Sequence, residues 1–248
     1  MTASSCRTIL VDFGETLIYP DPPVERQYLK VASGLFPGGD LPSPRIVLSR
    51  FHRAFDQLYS ATRGACFGTT ETEGFWFWQR VVGAVFPCFD GDDIVSLTSG
   101  VYQNFLRAAA WSLFPGVRKA LGWFEKQNFQ LVLLSNWDLR ARRLLHNLEL
   151  FDCFDQLFIS SEVGFHKPDP RLFKYALERL NMAPEKLCML GNDIELDLRP
   201  AADLGMQTIW FKGSDALGDW TPAATSWVEV TGLFAQNPRL QSNSCPPR

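Results

Sequence analysis

Thr8-Ile9-Leu10-Val11-Asp12-Phe13-Gly14-Glu15-Thr16-Leu17 is the stretch on which the fold is decided. Its first four residues form a short, β-branched, apolar run that stops at a carboxylate. Such a run reads as a buried strand, and Asp12 stands where the strand gives way to a turn. The same pattern recurs four times downstream. Leu131-Val132-Leu133-Leu134 ends in Ser135-Asn136, and Leu157-Phe158-Ile159 ends in Ser160-Ser161. Leu187-Cys188-Met189-Leu190 ends in Gly191-Asn192-Asp193, and Thr208-Ile209-Trp210-Phe211 is the fifth run.

Helical patterns lie between these strands: Val117 to Lys126, Leu139 to Leu148, the Leu172, Ala176, Leu180 period, and Leu196 to Leu204 with Gly205 as its C-cap. Strands alternating with helices predict a parallel sheet covered on both faces. Ligands of such sheets bind beyond the carboxyl ends of the strands. The polar termini above therefore should converge on one crevice.

Residues 18–112 break this rhythm and read as helical throughout. Ser43-Pro44 is a helix start, followed by the apolar stripe Val47, Phe51, Phe55 and Leu58. Phe75-Trp76-Phe77-Trp78 opens another helix, and Ile94, Leu97, Val101 and Phe105 mark a further one. Core packing is the simpler reading of these aromatics. Arg63 to Gly68 is loop-like, and residues 64–74 are a candidate segment for substrate selection. Phe114-Pro115-Gly116 marks re-entry into the sheet. The resulting division is an α/β core over 1–17 and 113–236, an inserted helical cap over 18–112, and a polar tail over 237–248 expected to be disordered.

The chain has 248 residues and a formal net charge of −3, which lacks the basic footprint of a nucleic-acid binder. Arg140, Arg142 and Arg143 read as a solvated helix face. No two of the six cysteines form a C-x-x-C pair and the three histidines are scattered, so a zinc cluster has no support. The cysteines read as reduced residues of an intracellular protein. Met1 to Arg7 lacks the apolar run of a signal peptide, and no stretch suits a membrane span, so a cytoplasmic protein is expected.

Asp12 can serve as nucleophile or metal ligand. Ser135, through its hydroxyl and the adjacent backbone N–H of Asn136, can hold an anionic oxygen; a helix N-cap is its simpler role. Lys167, before Pro168-Asp169-Pro170, can neutralise a phosphoryl group and orient the nucleophile. Asn192, Asp193 and Asp197 follow the fourth strand, where one acid can join Asp12 around Mg²⁺. Asp197 also reads as the partner that orients Lys167 or as a helix cap.

These elements, in this order, resemble the four motifs of the haloacid dehalogenase superfamily, in the subfamily with a helical cap between motifs I and II. Ser135-Asn136-Trp137-Asp138 and Gly164-Phe165-His166-Lys167-Pro168-Asp169-Pro170, with Leu172-Phe173, are similar to the phosphatase-like group called domain-containing protein 3-like, or REG-2-like. The resemblance covers residues 7 to 212 and implies a Rossmann-like, doubly wound core. It implies Asp12 as nucleophile, with Ser135, Asn136 and Lys167 around the phosphoryl group. It further implies Mg²⁺ held by Asp12, the carbonyl of Gly14 and Asp193. The expected activity is Mg²⁺-dependent hydrolysis of a small phosphorylated metabolite through an aspartyl-phosphate.

Two departures stand out. The family's second aspartate, two residues after the nucleophile, is Gly14 here; loss of a general acid/base costs about 10²–10⁴-fold. Glu15 is a candidate substitute, or a simple turn residue. The usual Gly-Asp of motif IV reads Gly191-Asn192-Asp193, which leaves Asn192 and Asp193 competing as ligand, with the carboxylate preferred. A phosphonate hydrolase would need a cap lysine, and residues 31–117 contain none. A dehalogenase needs no metal but needs cap arginines, and Arg45, Arg50, Arg53 and Arg63 read as helix surface. A weak or inactive member with a binding or regulatory role is the alternative that Gly14 motivates.

Overall fold

A computed structural model describes residues 6–61, 68–212 and 219–236. Residues 62–67, which include the first part (64–67) of the candidate selection segment, and the tail 237–248 lie outside the described residues. By contacts the chain divides into two compact units, residues 1–19, 113–136 and 150–248, and residues 20–112 with 137–149.

The first unit is built on six strands: β1 (Thr8–Val11), β4 (Gln130–Ser135), β5 (Gln156–Ile159), β6 (Leu187–Gly191), β7 (Gln207–Phe211) and β8 (Ala223–Ala224). They form one sheet in the order β5-β4-β1-β6-β7-β8, and all neighbours run parallel. This is the Rossmann-like sheet expected. All five expected strands are present. β8 was not anticipated, because two alanines carry no strand pattern. β1 is paired on both sides, Leu10 standing opposite Val132 and Met189.

The chain leaves β1 to build one side of the sheet, then returns to build the other. The reversal opens a crevice at the carboxyl end of β1. Both faces are buried, as a parallel sheet requires. Because strand side chains alternate, Leu10, Val132, Leu134 and Met189 share one face and pack on Leu172, Phe173 and Ala176 of helix α8 (Pro170–Leu180). Ile9, Val11, Leu131 and Leu133 are also buried. Each such aliphatic side chain stabilises the fold by about 1.5–3 kcal/mol.

The second unit contains α1 (Val24–Leu35), α2 (Pro44–Ala61), α3 (Glu71–Val85), α4 (Gly91–Asn104) and α6 (Ala141–Asn147). Its core joins Tyr28, Val47, Val82, Phe86, Leu97 and Val101. Phe51, Phe55 and Leu58 pack on Ala54, Phe77 and Val81, so most of the aromatic stripe is core; Trp76 is exposed. Helix α3 starts where sequence chemistry dictates, the Thr70 hydroxyl accepting from the Glu73 N–H at 3.1 Å.

Three readings need correction. Residues 18–112 are not helical throughout: β2 (Ile18–Pro20) and β3 (Trp111–Leu113) pair as a two-stranded ribbon. Three-residue strands are too short to impose a period on the sequence. Residues 137–149, read with the core, group with the helical unit, where the Asn147 amide donates to the Leu106 carbonyl at 2.7 Å. Arg140 is not a solvated helix residue: its guanidinium lies 3.7 Å from the Tyr102 ring centroid and pairs with Asp138. Among the described residues, no helix is long and apolar enough to cross a membrane. The described cysteines Cys6, Cys88, Cys153 and Cys188 are free thiols.

Candidate active site

Asp12 is fixed first by its backbone. Its N–H donates to the Leu190 carbonyl at 2.9 Å, which extends the β1–β6 pairing by one residue. The next residues close tightly: Leu17 N–H donates to Phe13 O at 2.9 Å and Glu15 N–H to Ile18 O at 2.7 Å. Glu15 carries the left-handed backbone of that turn, with φ of 55°. The Trp227 indole N–H donates to Thr16 O at 3.0 Å and holds the turn from the other side.

The Asp12 carboxylate is buried and fully engaged. Its Oδ1 accepts from Lys167 Nζ at 2.5 Å and from Ser135 Oγ at 3.2 Å. Its Oδ2 accepts from Thr16 Oγ1 at 3.2 Å. Lys167 Nζ also donates to Asp197 Oδ1 at 2.5 Å. One ammonium thus stands between two carboxylates, out of water. Burial alone would lower the Lys167 pKa, but Asp12 and Asp197 overcome it and hold it above the ordinary range. Burial pushes Asp197 up to about 7, with the Asp12 charge adding to that and Lys167 opposing it. Lys167 therefore stays charged, and the cluster carries more negative groups than its one cation satisfies.

Asn136 has a role that its sequence position does not reveal. Its Nδ2 donates to Lys167 O at 2.9 Å, and its Oδ1 accepts from Lys167 N at 2.7 Å. The side chain clamps the Lys167 backbone through both of its polar groups. Ser135 begins no helix, since α6 starts at Ala141, so its N-cap reading is replaced by the bond to Asp12.

Asp193 and Asp197 share a π-helical turn, Ile194–Leu198. Asp193 Oδ1 caps it, accepting from the N–H groups of Glu195 at 2.8 Å and Leu196 at 2.9 Å. Asp197 Oδ2 accepts from Asp193 N–H at 3.1 Å. Asn192 lies on the bond chain to the nucleophile: Thr16 Oγ1 is 3.2 Å from its Oδ1 and equally 3.2 Å from Asp12 Oδ2. Thr16 went unnoticed in the sequence because threonine in a turn is unremarkable. Glu15 joins none of these described bonds; the residue is exposed, yet partial desolvation and then the Asp12 charge raise its carboxyl pKa.

Gly191 is required at the end of β6. A Cβ there would lie 2.5 Å from Asp197 Cγ. Gly191→Ala should therefore displace Asp197, lower turnover at least tenfold, and destabilise the fold by about 1–3 kcal/mol. Urea denaturation alongside kinetics would check this; an unperturbed variant would deny the close approach.

The oxygen set fits a hard cation. Thr16 has one hydroxyl hydrogen for two acceptors, Asp12 Oδ2 and Asn192 Oδ1, when the amide turns its oxygen to Thr16. Thr16 can serve only one of those oxygens at a time. Among the described residues, no three His, Cys, Asp or Glu gather as a metal site. A cation here would take few carboxylates, with carbonyl, water and substrate oxygens for the rest, which is the habit of Mg²⁺.

The sheet, the crevice and the Asp-Ser-Lys-Asp cluster together define the class, and the chain belongs to the haloacid dehalogenase-like hydrolase family, whose model matches residues 6–205. It is a hydrolase. It is 29% identical over 174 residues to the mouse haloacid dehalogenase-like hydrolase domain-containing protein 3, covering 66% of this chain and 68% of that one. It is 34% identical over 99 residues to the glyceraldehyde 3-phosphate phosphatase of Pyrococcus furiosus, covering 40% of this chain and 41% of that one. The fold resembles that of magnesium-bound YfnB from Bacillus subtilis, with a TM-score of 0.72, 19% identity and coverage of 93% and 99%.

Proposed function

We propose that the protein is a Mg²⁺-dependent phosphatase of a small phosphorylated metabolite, working through an aspartyl-phosphate on Asp12. The observation that carries this reading is the buried Asp12 carboxylate, held by Lys167, Ser135 and Thr16 at the end of the central strand. A carboxylate so oriented is placed to attack phosphorus while the bond to the leaving oxygen breaks. Lys167 and the Ser135 hydroxyl then face the phosphoryl oxygens and offset their charge. Asp197 and the Asn136 clamp keep the ammonium aimed. Water afterwards hydrolyses the aspartyl-phosphate and restores Asp12.

Asp12, the Gly14 carbonyl and the Asn192–Asp193 turn would hold Mg²⁺, which when bound supplies charge neutralisation at the phosphoryl group. The third donor is better sought in Asn192 than in Asp193, whose Oδ1 already caps a turn. Asn192→Asp should then tighten Mg²⁺ binding by about 10-fold, because ligand charge tunes such sites over decades. Calorimetry reads this directly, and unchanged affinity would return the ligand role to Asp193. Glu15, the acid next to Gly14, would stand in for the missing second aspartate; partial desolvation and then the Asp12 charge raise its carboxyl pKa.

The decisive experiment is hydrolysis of p-nitrophenyl phosphate and a panel of phosphorylated metabolites, with and without Mg²⁺. Metal-dependent turnover supports the phosphatase. Gly14 and Asn192 favour a second reading, a weak or inactive member that binds rather than hydrolyses. Absence of turnover by the folded protein, with phosphate analogues and Mg²⁺ binding independently of one another, would establish that reading instead.

A further inference from the structure

Trp210 of β7 and Trp227, the first residue of helix α10 (Trp227–Gln236), are buried, and both belong to the first unit with the nucleophile. The Trp227 indole N–H donates to Thr16 O at 3.0 Å, and the Trp210 indole N–H donates to Asn192 O at 2.8 Å. Thr16 and Asn192 are the two residues whose side chains meet beside the nucleophile, Thr16 Oγ1 lying 3.2 Å from Asn192 Oδ1. Gly191 stands opposite Trp210 in the β6–β7 pairing, so the indole reaches one residue further along, to Asn192. Both rings are braced. Trp227 packs on Phe211 at 5.7 Å between centroids, and the Lys212 ammonium lies 5.1 Å from the Trp210 ring centroid.

A buried indole N–H needs an acceptor, so one such bond would be ordinary core satisfaction. Here two converge on one junction. Each takes a backbone carbonyl, and so fixes the peptide plane that follows a residue whose side chain faces the other. A tryptophan side chain is large and rigid, which leaves the held carbonyl little play. Thr16 lies in the turn after the nucleophile, and Asn192 opens the turn after β6. The pair of indoles therefore sets the gap between the two loops from which Asp12, the Gly14 carbonyl and Asn192 would offer oxygens to Mg²⁺.

We propose that Trp210 and Trp227 are positioning residues that together hold Thr16 and Asn192 at the separation Mg²⁺ binding requires. The inference deepens the proposed function and rests on its metal assignment, not on turnover. Neither indole would touch the ion. Partners that orient metal ligands from outside nevertheless matter to affinity, because they spare the ligands the freedom that binding would otherwise remove.

Trp210→Phe and Trp227→Phe each remove one N–H and keep an aromatic ring. Trp123→Phe, in helix α5 (Val117–Lys126), where the ring packs on Phe124 and Phe129, is the control. Calorimetry should show Mg²⁺ binding weakened about 10-fold in either of the first two variants and unchanged in the control. The double variant should lose little more than either single one, since opening the bracket at one end already releases the gap. With p-nitrophenyl phosphate, saturating Mg²⁺ should restore kcat, a rescue that general damage to the fold would not give. By linkage the effect is reciprocal: in the wild-type protein, Mg²⁺ should slow exchange of the Trp210 and Trp227 indole protons and leave that of Trp123 unchanged, and this arm needs no variant to fold. Without metal, Trp210→Phe should speed exchange at the Leu17 amide and Trp227→Phe at the Asp193 amide, each across the gap from the lost bond. Additive affinity losses, no rescue by Mg²⁺, or loosening confined to the side of each substitution would overturn the proposal. If the wild-type protein binds no Mg²⁺, the metal assignment fails separately, and the crossed exchange still decides whether the two tryptophans hold the gap.

Discussion

Asp12→Asn should abolish turnover while leaving the fold as stable as before, or more so. Asparagine has the size of aspartate. With its oxygen toward Lys167 and Ser135 and its NH₂ toward the Thr16 oxygen, it keeps every partner that the carboxylate has now. What it lacks is a nucleophilic oxygen, and removal of a covalent nucleophile typically costs roughly 10⁴–10⁶-fold in kcat. The charge balance meanwhile improves. One ammonium between two buried carboxylates becomes one ammonium beside one, and the contribution by which Asp12 raises Asp197 disappears. The melting temperature should therefore hold or rise as activity vanishes. Turnover within tenfold of wild type would remove Asp12 from the mechanism; a large fall in melting temperature would contradict the charge argument.

The second large effect is expected at Lys167, where function and stability should fall together. Lys167→Met preserves length and leaves Asp12 and Asp197 buried without their shared cation. Breaking a buried pair by removing one partner costs about 3–5 kcal/mol. Loss of the group that faces the transferring oxyanions should cost a further 10²–10³-fold, roughly, in kcat. The stability loss should depend on pH. In the variant the folded Asp197 carboxyl, raised by burial and no longer opposed by Lys167, titrates above its unfolded value, so stability is present at low pH and is lost as pH rises through the raised folded value. Wild-type Asp197 already lies near about 7 with the cation in place. Urea denaturation at pH 5 and pH 8 should show the variant closest to wild type at pH 5. A deficit independent of pH would mean that packing, not charge, sets the cost.

The core was legible because each main strand is a short apolar run that halts at a polar residue, and that pattern needs no knowledge of neighbours. Asp12, Ser135 and Lys167 were legible as candidates for the same reason, being polar residues at or near places where chain regularity stops. What stayed hidden depends on partners far away in sequence. The Asn136 amide reads as a phosphate contact until Lys167 is seen 31 residues on, with both of its backbone groups taken. Arg140 looks solvated until Tyr102 and Asp138 surround it. Thr16 gives no signal, because its importance lies in facing two oxygens that meet only after β1 and β6 pair. The β2 and β3 ribbon escaped notice because each of its strands is three residues long.

The position of β1 also bears on how the molecule comes into being. The strand that carries the nucleophile is synthesised before both of its neighbours; one flank is completed by β4 at residues 130–135 and the other by β6 at residues 187–191. Pairing across such separations is slow, because a long loop must close before any contact rewards it. Until then the nascent chain displays an apolar, four-residue edge ready to pair with strangers. Each copy thus passes through a vulnerable youth and can become an enzyme only once β6 has been made. Lesions in the apolar run Leu187–Leu190 of β6, away from Gly191, should consequently show first as poor yield from the ribosome, while the survivors that do mature work at close to the normal rate.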